Sequence, residues 1–218
     1  MKTNIGLILT MLSSASAILG AGPGSNSDLV ECANLIYAGT KSSVCFSEEF
    51  LSAVASETTV ATARKFKPVK LAEKEVFLFP FAVMTGEGSF ALTEAERVNL
   101  KLYLEKGGFL LASAGCSSKE WRQSFEREMM AIFPERELAE VSLSHPIFST
   151  VYEVTRLDTK GADAKLMGIT IGEKIVVIYS PDGLNDTASM HGCCCCGGNE
   201  IKNSQKVNAN ILVYALMQ

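Results

Sequence analysis

The sequence predicts an α/β domain with a mostly parallel sheet, and three observations predict it. Short apolar runs alternate with helix-period segments. The clearest runs are apolar at consecutive positions, as in strands buried on both faces. The helix-period segments open on capping residues and close on glycine or before proline. Such alternation predicts right-handed βαβ units.

Each element follows in order. Residues 33–37 read as a strand ended by Gly39, and Ser47 can cap a helix that buries Phe50, Leu51 and Val54. Residues 64–74 form a basic connection with a short strand at 69–71. The run 76–81 (VFLFPF) reads as a buried strand, followed by a loop over Met84–Gly88. Thr93 and Glu96 form a capping box for a helix with Val98 and Leu102 on its apolar face. Gly107-Gly108 stops that helix, and 109–112 is the next strand. A helix from about Lys119 carries Trp121, Phe125 and Met129 at spacings of four and closes before Pro134. Segments 166–171 and 174–179 flank Gly172-Glu173 as a hairpin or two adjacent strands. Asn203 can cap a last helix that buries Val207, Ile211 and Tyr214.

Composition bounds the function. A chain of 218 residues, 47% apolar and 20% charged, suits one globular domain without internal repeats. A net charge of −4 with scattered basic residues offers no footprint for nucleic acid. The opening MKTNIGLILTMLSSASAILGAGPG has the layout of a secretory signal peptide over 1–21, with cleavage after Ala17 or Ala21. A linker then covers 22–32 and a single domain 33–218. The apolar run 5–12 is shorter than the roughly 20 residues that span a bilayer, so no membrane span is expected in the mature chain. The expected location is periplasmic or extracellular, where disulfides persist. Seven cysteines cannot all pair within one chain.

The runs FLFPFAVMTGEGSFALTEAERVNLKLYLEKGGFLLASAGC, IFPERELAEVSLSHPIF, IVVIYSPDGLND and VNANILVYAL resemble the bacterial domain of unknown function 4159 family, over roughly residues 33–218. The resemblance implies a class I glutamine amidotransferase-like fold, a flavodoxin-like sheet sandwiched between helices in three layers. It implies no reaction. In such sheets ligands sit beyond the carboxyl ends of the strands, here the loops near Gly39, Thr85, Ala114 and Ser180.

Cys116 is the catalytic candidate, at a strand-to-helix turn where a helix dipole favours the thiolate. In the amidotransferase-like arrangement it falls on the nucleophile elbow. Glutaminases carry G-x-C-x-G there, however, and this chain has Ala114 and Ser118 at the flanking positions. They also need a histidine with a glutamate two residues later, whereas His145 precedes Pro146-Ile147 and His191 precedes Gly192-Cys193. His145 therefore reads as a turn element that hydrogen-bonds backbone. Gly39-Thr40-Lys41-Ser42-Ser43 lacks the first glycine of a phosphate loop and reads as a capped turn. Asp182, Asn185 and Asp186 do not match a calcium-hand spacing and read as a polar turn.

The run Cys193-Cys194-Cys195-Cys196 follows His191 closely. Adjacent α-carbons, about 3.8 Å apart, are too close for an unstrained bond, which needs about 4.4–6.8 Å. Outward pairing to Cys32, Cys45 or Cys116 is the easier geometry. Cys193 and Cys196 also have a C-x-x-C chelating spacing, and with His191, Cys194, Cys195 and Cys116 form a candidate site for zinc or Cu(I). The disulfide candidates are thus Cys32, Cys45, Cys116 and Cys193 to Cys196, with metal or redox use as alternatives. The reading is an exported, soluble, non-catalytic binding or structural module with a disulfide-locked or metal-binding cysteine loop, its partner a small molecule, metal ion or protein. The alternative is a thiol-dependent hydrolase or oxidoreductase using Cys116.

Overall fold

Alternate residues of each central strand face opposite helical layers, and this arranges the molecule. The computed structural model describes residues 29–42, 45–189 and 198–218. The described residues place seven strands in one sheet: β1 Cys32–Ile36, β2 Lys67–Lys70, β3 Phe81–Gly86, β4 Phe109–Ala114, β5 Ala139–Glu140, β6 Met167–Ile171 and β7 Lys174–Ser180. Their order is β2-β1-β3-β4-β7-β6-β5. The first five in that order are parallel, and β6 runs antiparallel to β7 and to β5. The carboxyl ends of β1, β3, β4 and β7 therefore share one edge.

Four helices complete the described layers: α1 Glu49–Glu57, α2 Glu94–Glu105, α3 Lys119–Ile132 and α4 Ser204–Leu216. One sheet face presents Leu35, Tyr37, Met84, Leu110 and Tyr179 to Leu100 and Tyr103 of α2 and to Trp121 and Phe125 of α3. The other presents Phe81, Val83, Leu111 and Ile178 to Leu51 of α1 and to Val207 and Ile211 of α4. The result is a three-layer α/β arrangement. No helix among the described residues is long and apolar enough to cross a membrane.

Five local expectations change. The run 76–81 is not a strand: Lys74–Leu78 forms a 3-10 turn, and β3 begins at Phe81. Pro80 has no N–H for a central ladder, so pairing starts just after it, with Phe81 opposite both Cys32 and Phe109. Met84, Thr85 and Gly86, expected in a loop, continue that strand. In α2, Val98 and Leu102 are exposed at 47% and 39%, while Leu100, Tyr103 and Leu104 are buried. Two i,i+4 stripes were available there, and the capping box decides between them. Its Glu96 is itself buried, with Thr93 N donating to Glu96 Oε2 at 2.7 Å and Glu96 N donating to Thr93 Oγ1 at 3.3 Å.

Asn203 occupies the N-cap position of α4 without a side-chain cap bond. Its Oδ1 instead accepts from Asp158 N at 2.9 Å, and its Nδ2 donates to Arg156 O at 3.0 Å. The N-cap position of α1 is likewise Glu48, while Ser47 Oγ accepts from Glu49 N at 3.2 Å.

Candidate functional site at the carboxyl edge of the sheet

The edge is organised by polar residues set into otherwise apolar strand ends. Thr85, Ser113 and Ser180 are fully buried, and a buried hydroxyl needs a partner. The buried Asn185 supplies most of that demand. Its Oδ1 accepts from Ser113 Oγ at 2.6 Å and from Thr85 Oγ1 at 3.2 Å, and its Nδ2 donates to Glu200 Oε1 at 3.2 Å. Glu200 Oε2 accepts from Thr187 Oγ1 at 2.7 Å. Ser113 Oγ accepts from Leu184 N at 2.7 Å, and Asn185 O accepts from Ser47 N at 2.8 Å. The Asp182-Asn185-Asp186 segment is thus a structural hub that joins β3, β4, the approach to α1 and the chain before α4.

After β4 the chain turns sharply. Cys116, at φ 52° and ψ 29°, and Ser117, at φ 54°, occupy the left-handed region in succession. Such a conformation persists only where surrounding bonds over-determine it. Ser117 Oγ donates to Asp182 O at 2.6 Å and accepts from Asn199 N at 2.8 Å. Ser118 Oγ caps α3 by accepting from Trp121 N at 3.3 Å, and also accepts from Gly88 N at 3.1 Å. Gly198 sits so close to this turn that a Cβ on it would lie 2.7 Å from the carbonyl carbon and oxygen of Cys116. Asn199 secures the next step, its Nδ2 donating to Asp182 Oδ1 at 3.1 Å and to Ala162 O at 2.9 Å.

The crevice between the ends of β1 and β3 is filled by protein. Tyr37 OH donates to Thr85 O at 3.0 Å and accepts from Trp121 Nε1 at 2.6 Å. A Cβ on Gly86 would meet that hydroxyl at 2.5 Å. Burial pushes the Tyr37 phenol up to about 12, with the Trp121 hydrogen bond opposing. Lys41 does not complete a phosphate loop: its backbone bridges that of Tyr37 in a tight turn, and its Nζ reaches Glu87 O at 3.5 Å. Ser43 of that loop lies outside the described residues.

The structure separates the two catalytic candidates. Cys116 follows the carboxyl end of β4, whereas His145 shares a surface cavity with Glu173 and Ile175, at the amino end of β7. The strands are parallel, so about six strand steps, or roughly 20 Å, divide those levels. His145 Nδ1 accepts from Ile147 N at 3.2 Å, and its ring packs against Tyr214 at 5.5 Å. Burial holds its pKa below the ordinary imidazole value. Cys116 is disulfide-bonded, so its Sγ, 3.1 Å from Glu87 Oε1, carries no thiol proton.

Cys45 is also disulfide-bonded. Cys32, named as a disulfide candidate, is a free thiol. It is fully buried on the α1/α4 face, where burial pushes its thiol up to about 12. Its side chain packs into the core and does not reach the edge. His191, Cys193, Cys194, Cys195 and Cys196 lie outside the described residues, as does the expected signal peptide at 1–21. Among the described residues, no three His, Cys, Asp or Glu side chains gather to hold a metal ion. A disulfide-bonded Cys116 has no thiolate to give, which removes it from the proposed zinc or Cu(I) ligands while that bond persists.

Ser113, Ser117, Asn199 and Glu200 were not singled out from the sequence. A signal was present: each buried hydroxyl ends or nearly ends an apolar strand.

A mostly parallel sheet with helices on both faces, and polar side chains gathered where its strands end, defines a doubly wound α/β domain. A family model described as Domain of unknown function (DUF4159) matches residues 32–216, and the chain belongs to that family. No curated protein matches it.

Proposed function

We propose that this domain is an exported, non-catalytic binding or structural module whose sheet edge is locked by disulfides from Cys45 and Cys116 to the cysteines at 193–196. The observation that carries the reading is the division of sulfurs: Cys45 and Cys116 are disulfide-bonded while Cys32 is a buried free thiol. Gly198, two residues after Cys196, packs on the Cys116 backbone, which supports a short path from Cys116 to the run. A hydrolase would need that thiolate beside an oriented base, and His145 belongs to the other end of the sheet. Export follows from the leader-like opening and agrees with disulfides at the edge.

A flavodoxin-like or amidotransferase-like reading of the fold is supported by the order of the five parallel strands. It corresponds to the 2-1-3-4-5 arrangement of that class. The usual crevice between β1 and β3 holds Tyr37 and Trp121, so binding moves to the neighbouring ends of β4 and β7. There a cavity of about 390 Å³ is lined by Asp186, Thr187, Glu200, Lys160 and Lys202. Its mixed charges suit a small polar molecule or a protein side chain.

Peptide mapping of the non-reduced protein by mass spectrometry, with a thiol count and elemental analysis, tests this reading. The expected result is one bond from Cys45 and one from Cys116 to residues within 193–196, with no bound metal. A Cys45-to-Cys116 bond, or stoichiometric zinc or copper on cluster thiolates, overturns it.

A further inference from the structure

The seven-stranded sheet is wider than its helical cover on one face. Strands lie about 4.8 Å apart and packed helices 8–10 Å apart, so two helices cover roughly four or five strands. On the α1/α4 face, Val141, Val151 and Leu157 extend the cover with loop residues. On the α2/α3 face the described residues leave β6 partly uncovered, with Leu138 at the margin. The gap is a cavity of about 630 Å³, within the range of small-molecule sites. Its floor is Met167 and Ile169, its walls are Met129, Met130 and Leu138, and its polar end is Glu126 beside Tyr179.

Charge selects the ligand. Glu126, Glu135 and Glu137 line the cavity against one cation, Arg136. That guanidinium is already engaged, donating to Thr170 O at 2.9 Å and lying 3.8 Å from Glu135. Tyr179 OH donates to Glu126 Oε1 at 3.2 Å, and burial followed by the Glu126 charge raises the phenol, keeping it a donor. Arg122, which acts on Tyr179 from the preceding turn of α3, does not line the cavity. Three methionines provide adaptable apolar walls. The geometry points to a binding site for an amphiphilic cation, an alkyl ammonium whose chain lies along Met129, Met130 and Met167 and whose head meets Glu126. This site is separate from the cysteine edge and does not rest on the function proposed there.

Isothermal titration of the purified, oxidised full chain with octylammonium, octanol and octanoate, each below its micelle concentration, tests the assignment. Saturable binding of octylammonium alone is expected. Glu126→Gln should weaken it about tenfold through loss of a charged partner. Met130→Arg, at a side chain 69% exposed and so tolerant of change, should abolish it. Equal binding of octanol or octanoate, no binding of octylammonium, or binding unchanged in both variants overturns the assignment.

Discussion

Gly86 shows how much the edge depends on single atoms. A methyl group there would meet the Tyr37 hydroxyl at 2.5 Å and Trp121 Nε1 at 3.1 Å. Both rings are fully buried, so neither can swing aside. Gly86→Ala should cost about 1–3 kcal/mol by overpacking, read as a lower urea midpoint with an unchanged slope. The buried free thiol of Cys32 gives a second residue-scale prediction. Cys32 is fully buried and its thiol is pushed up to about 12, so at pH 8 it stays protonated and shielded. It should be silent to a thiol reagent in the native protein and react stoichiometrically once the chain is unfolded; rapid native labelling of Cys32 would contradict the burial.

Between elements, one ion pair joins α2 to α3. Arg97 Nε and a terminal nitrogen contact the buried Glu128 carboxylate at 2.7 and 3.2 Å. Removing the arginine leaves a buried charge short of its main partner, with Arg127 still 4.0 Å away. Arg97→Ala should therefore lower the denaturation midpoint more than Lys165→Ala, which breaks the exposed pair with Glu140.

The short 3-10 turn Pro146–Phe148 carries a pH effect. His145 accepts from Ile147 N through Nδ1, which requires the neutral ring, and burial lowers its pKa. Between that lowered value and the unfolded value of about 6.5, the unfolded chain holds more protons. Stability therefore rises with pH across the window, is complete above it, and is lost as pH falls toward the folded pKa. Glu140 and Glu173 line the same cavity, so the increment is the part removed by His145→Asn, which keeps a capping acceptor. A pH profile of thermal stability that is unchanged by this substitution would contradict it.

Elements with one dominant signal were legible in the sequence. The apolar run at β4, the capping box of α2 and the Trp121-Phe125-Met129 stripe of α3 appear where expected. Elements with competing signals were not. The run containing Pro80 is as apolar as a strand, and only the need for a central-strand N–H displaces pairing to Phe81. The two stripes of α2 are equally periodic, and burial of Glu96 selects between them.

At the scale of the molecule, the location of the site was legible and its composition was not. Parallel strands send their ends to one edge, so the loops near Thr85, Ala114 and Ser180 could be grouped from the alternation of elements together with the sheet that the resemblance implies. The Asn185 hub could not, because its partners come from 72 and 100 residues away, and no local pattern encodes such pairings. The same long separations govern what the sulfurs do. Bonds from Cys45 and Cys116 to the run at 193–196 would close loops of very roughly a hundred residues, each worth on the order of 4 kcal/mol through restriction of the unfolded chain. The two core clusters contain neither of these cysteines, and the central ladders from β1 to β7 do not depend on them. Reduction should therefore lower the denaturation midpoint strongly while the far-ultraviolet circular dichroism below it stays native. Cys45→Ser and Cys116→Ser should each remove part of the effect, and the double variant should be insensitive to reductant. A double variant that still loses stability on reduction would place the stabilising bonds elsewhere in the chain.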